Sequence, residues 1–241
     1  MATWQTETPA GVILTHTTTR AEGDFAIDAE PAALAERRRR VADRPWVWVR
    51  QVHGAEVVVA TREIAAEVAG IEADAMVTAD PGLVLAIQTA DCVPITFWSD
   101  EGIVGVAHAG WRGLEAGVVE RTIEAMWALG AGVIQARTGP FIEAACYEFG
   151  SDDLDRLAAR FGEEVRATTR DGRPGLDLFA LTDAAVVDTV RPVWPVGLQR
   201  SSGCTACDAE RFFSHRARAD TGRMATIVWR ETSYDRATAT G

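Results

Sequence analysis

The chain has no lysine: all 24 basic residues are arginine, set against 35 acidic residues for a formal net charge of −11. A duplex-binding surface needs a basic footprint that displaces counterions, and no such stripe exists, so no nucleic-acid partner is expected. Arginine's planar fork still suits a small anion. Cysteine is scarce as well. Cys92, Cys146, Cys204 and Cys207 are too few and too scattered for a disulfide framework in 241 residues. Reduced thiols in a cytoplasmic protein are the simpler expectation. Long apolar runs are missing, and none approaches the roughly 20 residues of a membrane-spanning helix, so no membrane partner is expected either. The opening MATWQTETPAGVILTH lacks the basic start and apolar core of a secretory signal. Only four histidines are present, which caps the number of imidazole sites.

What is present is an ordinary globular composition, 47% hydrophobic and 24% charged, in a chain long enough for one large domain over residues 1–241. Residues 11–19 are β-branched and read as a strand leading to Arg20; residues 30–43, with Pro31 near their start, read as a helix. Residues 46–52 and 56–60 are strand-like and flank His53-Gly54, where the glycine suggests a bend that aims the histidine. The chain is organised around residues 82–130. Three apolar runs (83–87, 95–98 and 103–107) have the length of buried strands, separated by turn residues. Thr89-Ala90-Asp91-Cys92-Val93-Pro94 lies between the first two, and His108-Ala109-Gly110-Trp111-Arg112-Gly113 follows the third and opens a helix that Gly130 ends. Further on, residues 133–138 form a strand and Ser151 or Asp152 caps a helix to about Phe161. A polar loop covers 168–175, and a helix capped by Asp177 ends at Arg191-Pro192. Strands at 196–200 and 225–229 follow, and a frayed tail after Glu231 closes the chain. There is no repeat and no composition break.

A thiol and an imidazole at the ends of neighbouring strands can converge. Zinc favours such ligands, and a catalytic zinc uses three of them with water in the fourth place. His53, Cys92 and His108 supply that set, although their separations are too long for a local finger and each alone has a packing role as its ordinary explanation. The competing reading makes Cys92 a nucleophile with His108 as base. Asp91 is then a tempting orienter, but neighbouring strand residues point to opposite faces. Cys204-x-x-Cys207 resembles half of a structural zinc site, yet no second pair matches it and Cys146 alone does not complete it, so a reduced packed pair is expected. His16 and His215 are assigned supporting or surface roles. Arg20, Gln51, Arg112, Arg216 and Arg223 sit in or beside glycine-rich segments as candidates for binding substrate.

Taken together, QVHG at 51–54, ADAMVT at 73–78, TADCVP at 89–94, HAGWRG at 108–113, GPFIEAACYEFG at 139–150 and CTACDAERFFSHRARADTGR at 204–223 resemble, in that order, the YfiH family. Its members were formerly called multicopper polyphenol oxidoreductases or laccase-domain proteins. The resemblance implies a mixed α/β (α+β) fold, a single domain with mixed β-sheets flanked by helices, similar to the catalytic domain of the cytotoxic necrotizing factors. It implies a zinc-dependent purine nucleoside phosphorylase. Adenosine, inosine, guanosine or methylthioadenosine would be cleaved with phosphate as co-substrate, and adenosine would also be deaminated. One zinc ion would sit on His53, Cys92 and His108, the same residues being catalytic. Arg20, Gln51 and Arg112 are read as the substrate-binding residues, with Arg20 and Arg112 as candidates for the phosphate. Two departures bear on substrate choice. The family pattern FTTRxGGVS is reduced to the Thr-Arg of HTTTRAEGDF at 16–25, and the usual SYRR becomes Ser214-His215-Arg216-Ala217. The alternative function is a Cys-His amidase acting on a peptidoglycan precursor. A copper polyphenol oxidase stands last, because four histidines and four cysteines cannot furnish a three-plus-one copper cluster.

Overall fold

The computed structural model describes residues 3–190 and 198–232. In chain order its elements are β1 (Trp4–Thr8), β2 (Gly11–Thr17), α1 (Pro31–Val41), β3 (Trp46–Trp48), β4 (Val57–Val59), α2 (Ala65–Val68) and β5 (Ala75–Thr78). The central stretch supplies β6 (Val84–Thr89), β7 (Val93–Ser99), β8 (Val104–Ala109), α3 (Trp111–Ala116) and α4 (Val118–Ala128). The remainder is β9 (Ile134–Thr138), α5 (Ser151–Phe161), β10 (Arg166–Thr168), β11 (Pro174–Leu176), α6 (Leu178–Val190), β12 (Leu198–Gln199), α7 (His215–Arg218) and β13 (Met224–Glu231).

Two mixed sheets carry the fold. The five-stranded sheet runs β1-β2-β13-β6-β3, and the six-stranded sheet runs β12-β9-β7-β8-β5-β4. β3 pairs parallel with β6, β4 with β5 and β12 with β9, while the other pairings within these sheets are antiparallel. The two-residue period of a strand sorts side chains into layers. On β6, Leu85 and Ile87 join a core that also holds Met76, Trp98, Val104 and Val106 of the six-stranded sheet. Val84 and Ala86 face the other way, in a cluster with Leu34 of α1 and Phe25. The far face of the six-stranded sheet, with Val77, Ile95, Phe97 and Ala107, packs on α3, α4, α5 and α6 through Leu114, Ile123, Leu157 and Leu181. The order is therefore helix, sheet, sheet, helices. Fully burying a Leu, Ile or Phe side chain contributes about 1.5–3 kcal/mol, so these layers dominate the stability.

Several sequence expectations shift in detail. The run at 83–87 becomes β6 of the five-stranded sheet, whereas 95–98 and 103–107 become neighbours in the other, so the central stretch spans both sheets. The expected helix after Gly113 starts earlier, at Trp111, and breaks at Gly117, whose φ of 90° lies in the left-handed region. Gly150, not Ser151 or Asp152, is the N-cap of α5. Asp177 does cap α6, its carboxylate accepting the N–H groups of Phe179 and Ala180. The polar loop at 168–175 closes a short hairpin, β10 with β11. The expected helix end at Arg191-Pro192 and the start of the strand at Val196 lie outside the described residues, as does the tail from 233 onward. Among the described residues, no helix is long and apolar enough to cross a membrane.

Candidate metal centre

Strand period decides what reaches the open end of the seam between the sheets. β7 and β8 pair with Pro94 opposite His108, and β5 pairs beside β8 with Ala75 opposite Ala107. Val104 and Val106 face the inter-sheet core, so His108, two residues further along β8, continues that face. Asp74, two residues before Met76, continues the same face at the start of β5. There they meet: Nδ1 of His108 lies 2.7 Å from Oδ1 of Asp74, and both groups are buried. Cys92 stands immediately ahead of β7, at the same end.

His53 arrives from the connection between β3 and β4. Its φ of 59° is positive, a conformation uncommon outside glycine and costing of order 1–3 kcal/mol. Sequence reasoning placed this bend at Gly54; the strained residue is the histidine itself. Asp74 stabilises the bend. Its carboxylate accepts the successive N–H groups of Val52 (3.1 Å), His53 (3.0 Å) and Gly54 (2.7 Å). The backbone thus wraps an anion and presents the imidazole outward. Nε2 of His53 reaches within 3.8 Å of the Cys92 sulfur, and the donor atoms of His53, Cys92 and His108 all lie within 4.8 Å of one another. The neighbouring backbone must stay thin for this. A Cβ on Gly110 would sit 2.8 Å from Cδ2 of His53 and 3.1 Å from the Cys92 sulfur.

Asp91, the tempting orienter, does other work. Its φ of 103° is strained. Its carboxylate turns away to accept Thr205 Oγ1, Ser214 Oγ and the Arg216 N–H, each at 2.6 Å. Those bonds hold the turn that presents Cys92. The orienting carboxylate is Asp74, which sequence reasoning missed although it lies within the ADAMVT motif. A charged residue between two alanines at the head of a buried strand was the available signal.

Without metal the centre is a charge pair. Burial opposes ionisation of the Cys92 thiol, but the charge and hydrogen bond of His108, aided by His53, outweigh it and bring the thiol down to about 6. Burial likewise disfavours imidazolium at His108, yet the Cys92 thiolate and the Asp74 carboxylate raise it to about 9. Asp74 follows the same logic: burial pushes it up, and His108 with the Gly54 and Val52 N–H groups holds it below the usual carboxylate value.

The three candidate ligands line a cavity of about 690 Å³, within the size range of small-molecule sites. Trp111 and Tyr147 give it aromatic walls, and Arg50, Arg112, Arg216 and Arg223 give it positive charge. Burial, reinforced by the negative charge of Cys92, pushes Tyr147 to about 12, so its hydroxyl stays protonated. The Arg112 guanidinium lies over Trp111, 4.2 Å from the ring centre. Arg216 lies over Tyr147 and donates to the Glu148 carbonyl at 2.8 Å. Arg223 is committed to the carbonyls of Asp220, Thr221 and Gly222.

Two expected substrate residues have other duties. Arg20 is not among the residues lining the cavity. It pairs with Asp220 at 2.7 Å, donates to the Phe212 carbonyl and covers the Phe213 ring. Gln51 does line the cavity, but both ends of its amide engage the backbone of Gln88 at 2.7 Å. It continues the β3–β6 pairing where β3 stops. His215, assigned a supporting role from sequence, lines the cavity as well, and His16 is held between Thr3 and Glu22 in the five-stranded sheet's neighbourhood.

The donor set suits a metal ion. Two imidazoles and a thiolate are zinc ligands, the carboxylate on the far nitrogen of His108 is the usual outer partner of a metal-bound histidine, and the cavity leaves room for a further ligand.

Comparison with known proteins bears on the family and the fold. The family model described as multi-copper polyphenol oxidoreductase laccase matches residues 10–231. The chain is 38% identical over 220 residues to a Mycobacterium tuberculosis protein named purine nucleoside phosphorylase, covering 87% of this chain and 84% of that one. It is 36% identical over 210 residues to the purine nucleoside phosphorylase YfiH of Escherichia coli, covering 83% and 82% respectively. Among solved structures, the Neisseria meningitidis protein NMB0706 superposes with a TM-score of 0.80 at 29% identity, covering 96% of this chain and all (100%) of that one. YlmD of Geobacillus stearothermophilus superposes with a TM-score of 0.78 at 26% identity, covering 93% of each.

Proposed function

Because the chain belongs to the YfiH family, the laccase-domain family of the matching model, we propose that it is a zinc-dependent purine nucleoside phosphorylase. The observation that carries this reading is the convergence of two imidazoles and one thiolate, within 4.8 Å, in the wall of a cavity lined by aromatic and arginine side chains. The names of its relatives supply the substrate class. Adenosine, inosine, guanosine and methylthioadenosine are the substrates, phosphate is the co-substrate, and deamination of adenosine at C6 is a second activity.

His53, Cys92 and His108 hold the zinc ion, which when bound supplies Lewis acidity to a small ligand at the cavity wall. Asp74 orients the His108 imidazole directly and the His53 imidazole through the backbone bend that carries it. Trp111 and Tyr147 offer flat faces to a purine. Arg112 and Arg216 draw phosphate in and orient it; neither guanidinium is paired with a carboxylate among the described residues. A phosphate oxygen forms a bond to C1′ as the C1′–N9 bond breaks, and the purine leaves with the electron pair and takes up a proton. Arg20 takes no part in this account, since its guanidinium is engaged outside the cavity.

One observation favours a second reading. Cys92, His108 and Asp74 also form a nucleophile, base and orienter in series, as in a thiol hydrolase. A metal-free amidase acting on a peptidoglycan precursor would use that series. It leaves the strained approach of His53 to Cys92 without a purpose, which is why the metal reading is preferred.

The deciding experiment incubates purified protein of known metal content with adenosine and inosine, with and without phosphate. Phosphate-dependent release of adenine and hypoxanthine, abolished in Cys92→Ala together with zinc at this centre, is expected. Turnover that survives exhaustive chelation but dies on alkylation of Cys92 would overturn the proposal in favour of the hydrolase.

A further inference from the structure

Cys146, Cys204 and Cys207 also converge. Their sulfur atoms all lie within 4.8 Å of one another, with 3.2 Å between Cys146 and Cys207. Sequence reasoning had Cys146 leaving the Cys204-x-x-Cys207 pair incomplete. The fold brings the single-turn helix at Ala144–Cys146 against the loop that follows Gly203, so Cys146 joins the pair as a third thiol and the fourth position is left to a small ligand. An isolated bridge between Phe141 and Cys204 and a hydrogen bond from Thr205 N–H to the Phe141 carbonyl fix this juxtaposition.

We propose that these three cysteines form a second metal site, distinct from the His53–Cys92–His108 centre, which takes one thiophilic divalent ion, zinc. Three features of the surroundings support an ion there. Two thiols separated by two residues plus a third from a distant turn supply three of the four ligands of a thiolate zinc site. Three thiolates on a divalent ion leave one surplus negative charge, and the Arg170 guanidinium lies 3.1 Å from the Cys207 sulfur to balance it. Arg170 is held there by its own N–H to the Ala145 carbonyl, at 3.0 Å. The Glu143 N–H points at the Cys204 sulfur at 3.4 Å, a donor of the kind that steadies a bound thiolate. Cys207 is exposed while Cys204 is buried, so the fourth position faces solvent and is filled by water or a small thiol.

Each ligand loses its thiol proton to solvent on binding, and no redox change occurs. The ion ties one piece of the cavity's wall to a segment that supports another. Cys146 adjoins Tyr147, which lines that cavity, and Cys204 adjoins Thr205, whose hydroxyl donates to Asp91 beside Cys92. The inference does not depend on the nucleoside reading, because its ligands and its readout are separate from turnover.

The test is elemental analysis of protein purified under reducing conditions, combined with cobalt substitution. Two zinc ions per chain are expected for the wild type, one for Cys207→Ser, one for Cys92→Ser and none for the double variant. Cobalt-loaded Cys92→Ser should keep a near-ultraviolet sulfur-to-cobalt charge-transfer band, which can then arise only from the three-cysteine site, and the double variant should lose it. Cys207 is exposed, so its serine variant retains the packing of the fold. A Cys92→Ser protein without that band, with three thiols open to a thiol reagent, would overturn the proposal. So would a Cys146–Cys207 disulfide in protein that never carries a second ion.

Discussion

Asp74 accepts a 2.7 Å hydrogen bond from His108 and, through the same carboxylate, the N–H groups of the bend that carries His53. One buried side chain therefore sets the positions of two of the three candidate metal ligands. In Asp74→Asn, either orientation of the amide turns an NH2 group toward N–H donors, so the bend and the imidazole contact cannot both persist. Loss of such an outer partner lowers metal affinity by about 10–100-fold, and an unpaired buried polar group costs about 1–3 kcal/mol. Competition with a chromophoric chelator and thermal melting should report both losses. Unchanged zinc affinity would show that His108 needs no such support.

The metal-free centre should reveal itself through the reactivity of Cys92. Its folded value of about 6 lies below that of an ordinary thiol, roughly 8.5, so the thiolate persists in chelator-treated protein until the pH falls through about 6. The raised value of His108, about 9, keeps the imidazolium partner until the pH rises through that point. For the lowered thiol, stability is lost on the acid side as its folded value is crossed. For the raised imidazole it is lost on the alkaline side. Melting temperature of the chelated protein should peak between these limits, and iodoacetamide labelling of Cys92 should show its inflection near the lower one. Zinc should protect the thiol. An inflection at the ordinary thiol value would mean that the two side chains do not pair.

How far the sequence reached can be judged from the residues themselves. The strand period placed 95–98 and 103–107 side by side, and it is the pairing of Pro94 with His108 that brings Cys92 and His108 together. Local pattern carries no information about which sheet a strand joins, so the departure of β6 to the five-stranded sheet was invisible. Asp74 was overlooked because its role depends on partners 20 to 34 positions away. The pairing of Arg20 was hidden for a related reason: its partner Asp220 lies 200 residues along the chain, and an arginine beside a motif gives no sign of being already paired. The cysteine triad shows the same limit, since 61 residues separate the two sulfurs in closest contact.

Gly110→Ala should separate folding from metal binding. Gly110 has φ −74° and ψ 158°, ordinary extended backbone that alanine adopts without strain. The added Cβ instead meets Cδ2 of His53 at 2.8 Å and the Cys92 sulfur at 3.1 Å, so the ligands must move. Circular dichroism and melting should be near those of the wild type, while zinc affinity at this centre falls at least about tenfold and activity with it, a loss of the size that follows when metal ligands are mis-set by their surroundings. Wild-type affinity in the alanine variant would show that the ligand positions in the metal-bound protein leave more room at this glycine.

The arginines can be divided by one comparison of kinetics with stability. Arg112 lines the cavity, resting on Trp111, whereas Arg20 lies outside it, paired with Asp220 and covering Phe213. If phosphate is held by Arg112, removing the guanidinium deletes a hydrogen bond to a charged group, worth about 1.5–3 kcal/mol. Arg112→Ala should then raise the KM for phosphate by roughly 10–100-fold, with a smaller change in the KM for inosine and little change in melting temperature. Arg20→Ala should do the opposite. Loss of a partly exposed ion pair and of the contact with Phe213 should lower stability by roughly 1–2 kcal/mol and leave the phosphate KM where it was. The same reversal would be seen in a titration against sulfate as a competing anion, which tests the site without requiring turnover. A large phosphate effect in Arg20→Ala at unchanged stability would mean that the segment from Asp220 to Arg223 opens in the working enzyme and hands Arg20 to the substrate.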